Sequence, residues 1–224
     1  GMVDVVMVAA VGEAAVSGVA LVDSISILII QLLSALATGG AVVCSQYMGK
    51  KQSRSACHAA GQLILITAAF ALLFASVALL GGRHLLKLIF GRAEAAVLDN
   101  GASYFRITAL SYLFLALYNS GAALFRSMGN SRVSMAVSLV MNGVNVAGNA
   151  ICIYGLHMGV EGVAIPTLAS RVIAAILMMA LVRDPDNPIH VSGIHDLIPH
   201  GGTIKKILGV GVPSGLENGM FQFG

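Results

Sequence analysis

Residues 24–49 run without one charged side chain, and residues 55–82, 107–125 and 133–160 likewise contain no Asp, Glu, Lys or Arg. Residues 162–182 form a fifth such run, interrupted only by Arg171. A helix rises about 1.5 Å per residue, so roughly 20 apolar residues cross a hydrocarbon core about 30 Å thick. Each run is therefore long enough, or nearly so, to span a bilayer. Composition agrees: 57% of the chain is hydrophobic and 10% charged, whereas a soluble domain averages about 25% charged. So few charges cannot cover the surface of a soluble fold of this length. The expectation is an all-α, polytopic membrane helix bundle, multi-pass in the plasma membrane.

Residues 1–12 read as the second half of a further helix and residues 207–224 as the first half of another, so the chain reads as cut at both ends. No signal peptide is visible. Residues 183–203 hold three of the five prolines and break any helical period, which predicts an aqueous linker. Lys50, Lys51, Arg54, Arg126, Arg132, Arg183, Lys205 and Lys206 fall on one side of the predicted spans, and Arg83, Lys87 and Arg92 on the other. The richer side is expected to be cytoplasmic. A net charge of +3 is too small to imply a nucleic-acid partner.

The informative residues are the polar ones in apolar surroundings. At about 100° per residue, Asn145 and Asn149 lie within about 60° of Asn142 on one face of a helix, with Ser138 beside them. Lipid cannot hydrogen-bond an amide, so this stripe should face other helices or a wet cavity. One asparagine would serve as interhelical glue, worth about 0.6 kcal/mol; three on a stripe point to a site. Asp4 sits in the apolar stretch "GMVDVVMVAAVG". An ionised Asp near the bilayer centre costs roughly 2.5–3.5 kcal/mol even on the lenient insertion scale, so it should have a use. A lone intramembrane carboxylate can exchange a proton or a small cation. Arg171, the only basic residue near mid-membrane, reads as a structural partner for carbonyls near the inner face or as a transport residue. Glu161 reads as a loop residue just outside its helix, and Asp23 as an outer-mouth residue.

Five stretches together carry a family resemblance. They are "GMVDVVMVAAVGEAAVSGVAL", "SQYMGKKQ", "FRSMGNSR", "NVAGNAICIYGLHMGVEGVAIPTLASR" and "KKILGVGVPSGLENGMFQFG". In that order the chain resembles the multidrug and toxic compound extrusion (MATE) transporters over almost its whole length. The resemblance implies a twelve-helix fold of two six-helix lobes. This chain would supply one lobe over residues 1–182 with its first helix incomplete, the cytoplasmic linker 183–203, and the start of helix seven over 204–224. The missing carboxy-terminal lobe would be its partner.

The resemblance also implies a cation site in this lobe, carried over to Asp4, Asn119, Asn145, Asn149 and Thr167; Asn142, on the polar stripe, and Arg171, near mid-membrane, are candidate accessory residues. Asn149 stands where many members have Asp, and Pro166 where a small residue is usual. One carboxylate with amide and hydroxyl oxygens suits one hard monovalent cation. Na+ or H+ is thus the expected coupling ion, with no cofactor and no other metal. The expected activity is export of organic, cationic or amphiphilic small molecules in exchange for that ion across a bacterial cytoplasmic membrane. Rival readings are a lipid-linked precursor flippase of the same superfamily, which would carry more basic cavity residues, and a non-transporting membrane subunit. An intramembrane enzyme would need a catalytic pair, and Asp4 has no partner acid in any complete span, so no enzymatic activity is expected.

Overall fold

The computed structural model describes the backbone of residues 2–91, 93–191 and 193–223, and the side chains of these apart from 2, 3, 194, 195 and 216–223. Arg92, counted above among the outer basic residues, lies outside the described residues. The helices are α1 (Met2–Val8), α2 (Glu13–Gly49), α3 (Ser53–Ile89), α4 (Ala95–Ser127), α5 (Ser131–Ala150), α6 (Glu161–Val182) and α7 (Gly201–Phe223). Among the described residues there is no strand, and α2 to α6 are long and apolar enough to cross a membrane. The fold is an all-α membrane helix bundle. Glu161 is the first residue of α6 rather than a loop residue; a carboxylate there complements the positive end of the helix dipole. Helix α7 begins at Gly201, so the last residues of the predicted linker are already helical.

Helix α4 is central, packing against α2, α3, α5 and α6. Its Tyr104, Phe105, Tyr112 and Leu124 are fully buried. Short polar links tie it to its neighbours: Ser26 and Tyr112 hydroxyls lie 2.8 Å apart, and those of Thr67 and Ser120 2.6 Å. The outward faces carry Leu73, Val77 and Leu80 on α3, Met135 and Leu139 on α5 and Ile176 on α6, all exposed. In water such a shell would be a liability; in lipid it is solvated.

Between α1 and α2 the chain reverses at Gly12, whose φ of 137° only glycine adopts without strain. At the other pole, α7 lies along α2. A Cβ added to Gly39 would come within 2.5 Å of the Gly211 Cα, so two glycines allow backbone-to-backbone packing. Lys206 on α7 donates a 3.0 Å hydrogen bond to the Tyr47 hydroxyl, which places the start of α7 beside the end of α2.

The segment 183–203, expected as an aqueous linker, is largely exposed but docks on the end of the bundle. Ile189 and Val191 are buried in the core cluster that Cys44, Leu63 and Ile207 also join. Gln62 of α3, wholly buried, donates from Nε2 to the Asp196 and Ile198 carbonyls at 2.9 and 2.7 Å, and its Oε1 accepts the His200 N–H at 2.8 Å. One amide thus satisfies three backbone groups of a segment with no regular ladder of its own. The prolines do break the helical period, and the broken segment caps the bundle end.

Candidate functional site

Asp4 is 5% exposed and Asn149 not at all. Asn149 Nδ2 donates to Asp4 Oδ1 at 2.7 Å and, at a long 3.5 Å, to Asn145 Oδ1. Asn145 Nδ2 donates to Thr167 Oγ1 at 2.9 Å, and that hydroxyl donates to the Val163 carbonyl at 2.8 Å. A polar chain therefore runs from α1 through α5 to α6. Buried Val8, Ile153, Val160, Val163 and Ala164 belong to the apolar cluster at this level.

Local sequence explains the convergence. Asn145 and Asn149 are four apart, one above the other on α5. Gly148 lets α5 approach α6, because a Cβ there would stand 2.7 Å from the Pro166 Cβ. That contact sets Thr167, the next residue, opposite Asn145. Pro166 has no N–H for the Gly162 carbonyl. Just beyond Asn149 the helix widens into a π-helical turn, Ile151–Gly155, of the kind that often marks functional sites.

The other expected site residues sit apart. Asn142 is exposed, and its Nδ2 donates a long 3.4 Å hydrogen bond to the Ser138 hydroxyl on its own helix. Asn119 is half-buried on α4, and its Nδ2 is buried without a hydrogen-bond partner, so the structure does not tie that amide into the Asp4 chain. The Asn149 Oδ1 is likewise buried with no partner. An unsatisfied buried carbonyl costs about 1–3 kcal/mol. It is an acceptor oxygen on the residue whose Nδ2 bonds Asp4.

Arg171 belongs to a second feature. It lines a cavity of about 520 Å³ between α1, α2, α4 and α6, together with Asp23, Ser26, Tyr104 and Thr108 and an apolar wall that includes Val5 and Ile27. Its Nη1 donates to Ser111 Oγ at 2.6 Å, so its partner is a side-chain hydroxyl rather than the carbonyls expected. Asp23 lies within α2 rather than at its mouth, and its Oδ1 accepts the Tyr104 hydroxyl at 3.2 Å. Sequence reasoning missed Tyr104, Thr108 and Ser111. Their spacing along α4 places them within about 60° of one face, the same signal that singled out the asparagines of α5.

A membrane-spanning helix bundle with a buried acid in an interhelical polar chain and a polar-ended cavity defines a polytopic membrane protein with internal polar sites. The MatE family pattern matches residues 1–151. The chain belongs to that family, the MATE transporters. It is 30% identical over 221 residues to the uncharacterized transporter YisQ of Bacillus subtilis, covering 97% of this chain and 48% of the relative. It is 22% identical to the probable multidrug resistance protein NorM of Thermotoga maritima, across 100% of this chain and 48% of that one. The fold is shared with a crystal structure of MATE in the bent conformation, at a TM-score of 0.90 and 22% identity, covering 97% of this chain and 48% of the other. An inward-facing multidrug resistance MATE family transporter of the MOP superfamily matches at a TM-score of 0.88 and 22% identity, covering 96% and 48%. The chain spans about half the length of the curated relatives it matches.

Proposed function

We propose that this chain forms the amino-terminal lobe of an antiporter that exports organic, cationic or amphiphilic compounds across a bacterial plasma membrane, driven by inward movement of Na+ or H+. Residues 1–182 make the lobe, 183–203 the cytoplasmic linker and 204–224 the start of the second lobe, whose remainder is the partner. The protein works as a carrier rather than an enzyme. Names given to relatives, such as multidrug export protein MepA of Staphylococcus aureus, support the substrate class in its broad form.

The observation that carries the coupling reading is the buried Asn149 Oδ1, without a donor, on the residue that also bonds Asp4 at 2.7 Å. Na+ would gain Asp4, Asn149 Oδ1, Asn145 Oδ1 and Thr167 Oγ1 as an all-oxygen set. A proton on Asp4 would instead make it a donor, and a flipped Asn149 amide would accept it. Either event removes a net charge from the apolar lobe, which favours a rearrangement that a bare carboxylate opposes. Outside, ion binding promotes substrate release; inside, ion loss restores the substrate-binding form.

The test is transport by the full-length protein in vesicles, with a fluorescent organic cation and separately imposed Na+ and H+ gradients. Wild type should move dye under one gradient and Asp4→Asn under neither, while remaining folded and inserted. Normal transport by Asp4→Asn would refute the coupling role.

A further inference from the structure

We propose that the turn between α3 and α4 holds a binding site for one anionic phospholipid, with the lipid phosphate in a basic cavity and an acyl chain along an adjoining apolar groove. The site goes beyond the ion and substrate paths proposed above. It lies at the end of α3 remote from Gln62 and the docked segment 183–203.

The last two turns of α3 carry Arg83, His84 and Lys87, all exposed. Residues three and four apart share a helix face, so Lys87 stands beside both of the others. With Ala95 and Leu98 of α4 these three line a cavity of about 500 Å³, within the range of small-molecule sites. Arg83 Nη2 meets Asp99 Oδ1 at 2.8 Å, with the two side chains 59% and 60% exposed. That ion pair occupies one edge of a guanidinium that carries five N–H donors. Among the described residues Lys87 and His84 have no ion-pair partner, and Glu94, the residue before α4, does not line the cavity. The ammonium charge is therefore uncompensated. A phosphate, with several acceptor oxygens around its charge, matches a guanidinium edge, an ammonium and an imidazole N–H that border one space.

The neighbouring space is apolar. A groove of about 460 Å³ is lined by Leu21 of α2 with Ile89 and Phe90, and it shares Gly91 and Ala93 with the basic cavity. Neither shared residue has a side chain beyond Cβ, so nothing long separates the two spaces. Leu88 and Ile89, 83% and 52% exposed, bring the lipid-facing surface up to Lys87. Cation and hydrocarbon surface thus meet within one turn, as headgroup and tail meet in a phospholipid. A free phosphate would use only the cavity and a neutral lipid only the groove; an anionic phospholipid uses both. A zwitterionic lipid brings an ammonium that Lys87 and Arg83 repel. A lysine near a helix C-terminus also complements the helix dipole, but that role requires neither cavity nor groove.

The experiment places the full-length protein in nanodiscs of mixed phosphatidylglycerol and phosphatidylcholine, with a trace of one or the other lipid carrying a photoactivatable diazirine on an acyl chain. Cross-links are mapped by mass spectrometry. At Leu21 and residues 88–91 the phosphatidylglycerol probe should label about fivefold more than the phosphatidylcholine probe, the gain expected from one basic residue beside an anionic headgroup. At Leu73, exposed further back on α3, the two probes should label equally. Lys87→Gln should bring the probes to parity at the site, Lys87→Arg should keep the preference, and Lys50→Gln, at the opposite end of the bundle, should leave it unchanged. Excess glycerol phosphate should not displace the lipid, because it cannot fill the groove. Equal labelling by both probes in wild type, a preference that survives Lys87→Gln, or one that Lys50→Gln removes as well would overturn the proposal. Displacement by glycerol phosphate would overturn it too, by assigning the cavity to a soluble phosphate.

Discussion

Asn149 and Asp4, 145 residues apart in sequence, are joined by a 2.7 Å hydrogen bond inside the bundle, and the amide oxygen of the same asparagine is left without a donor. The pair holds one negative charge where a second carboxylate at the Asn149 position would hold two. Like charges about 4 Å apart repel by about 4 kcal/mol at an effective dielectric near 20, and a cation between them relieves that repulsion. Asn149→Asp should therefore raise apparent Na+ affinity at least tenfold. The check is Tm against Na+ concentration, with choline replacing Na+ at constant ionic strength. A variant no more responsive to Na+ than wild type would place Na+ outside this pair.

Thr167 is the far end of the polar chain. Thr167→Val keeps the shape but leaves the Asn145 Nδ2, now bonded at 2.9 Å, without its acceptor. Asn145 is half-buried, so the loss costs toward the lower end of the roughly 1–3 kcal/mol of a fully buried orphan. The variant should melt several degrees below wild type, and Thr167→Ser should lie close to wild type, because it keeps the hydroxyl. Equal melting of all three proteins would mean that water or another group replaces the lost acceptor.

Much of this architecture is legible in the sequence because lipid imposes one strong rule: long uncharged runs become helices. The rule says where a helix crosses and says less about where it ends. Helix α3 continues through Arg83, His84 and Lys87 to Ile89, past the end of the uncharged run at Gly82, since charges at a membrane surface do not stop a helix. Periodicity grouped Asn142 with Asn145 and Asn149, yet Asn142 is exposed. An angle around a helix axis does not say what stands opposite, and the Gly148–Pro166 contact that brings α6 close lies nearer Asn149. The Asp4–Asn149 bond and the docking of 183–203 on Gln62 depend on pairings between distant segments. No local pattern encodes those.

Gly148 tests whether close packing sets the site. An added methyl in Gly148→Ala would meet the Pro166 ring at 2.7 Å, forcing α5 and α6 apart at a cost of about 1–3 kcal/mol. The shift should lengthen the Asn145–Thr167 bond and, if the proposed ion site is there, weaken its response to Na+. Gly143→Ala on the same helix meets nothing within 4 Å and should stabilise by about 0.5–1 kcal/mol through helix propensity. Paired thermal melts, with and without added Na+, separate the two. Similar behaviour of the two variants would remove the glycine contact from the account.

The last prediction concerns the segment 183–203. Gln62 is wholly buried and supplies all three of its side-chain hydrogen bonds to the backbone of Asp196, Ile198 and His200. Gln62→Leu preserves approximate volume and removes every one of them, leaving two carbonyls and one N–H to find water. Gly61 beside it packs directly on the Asp196 backbone, so a docked segment cannot simply slide along α3. Release should therefore be local: the helices persist, while protease cleavage within 184–200 accelerates about tenfold, as expected when an open form gains about 1.4 kcal/mol in relative stability and cleavage follows its population. Limited proteolysis with mass mapping reads this directly, and circular dichroism confirms that the bundle is intact. Unchanged cleavage would show that buried Ile189 and Val191 hold the segment without the amide, and the docking would then be hydrophobic in origin.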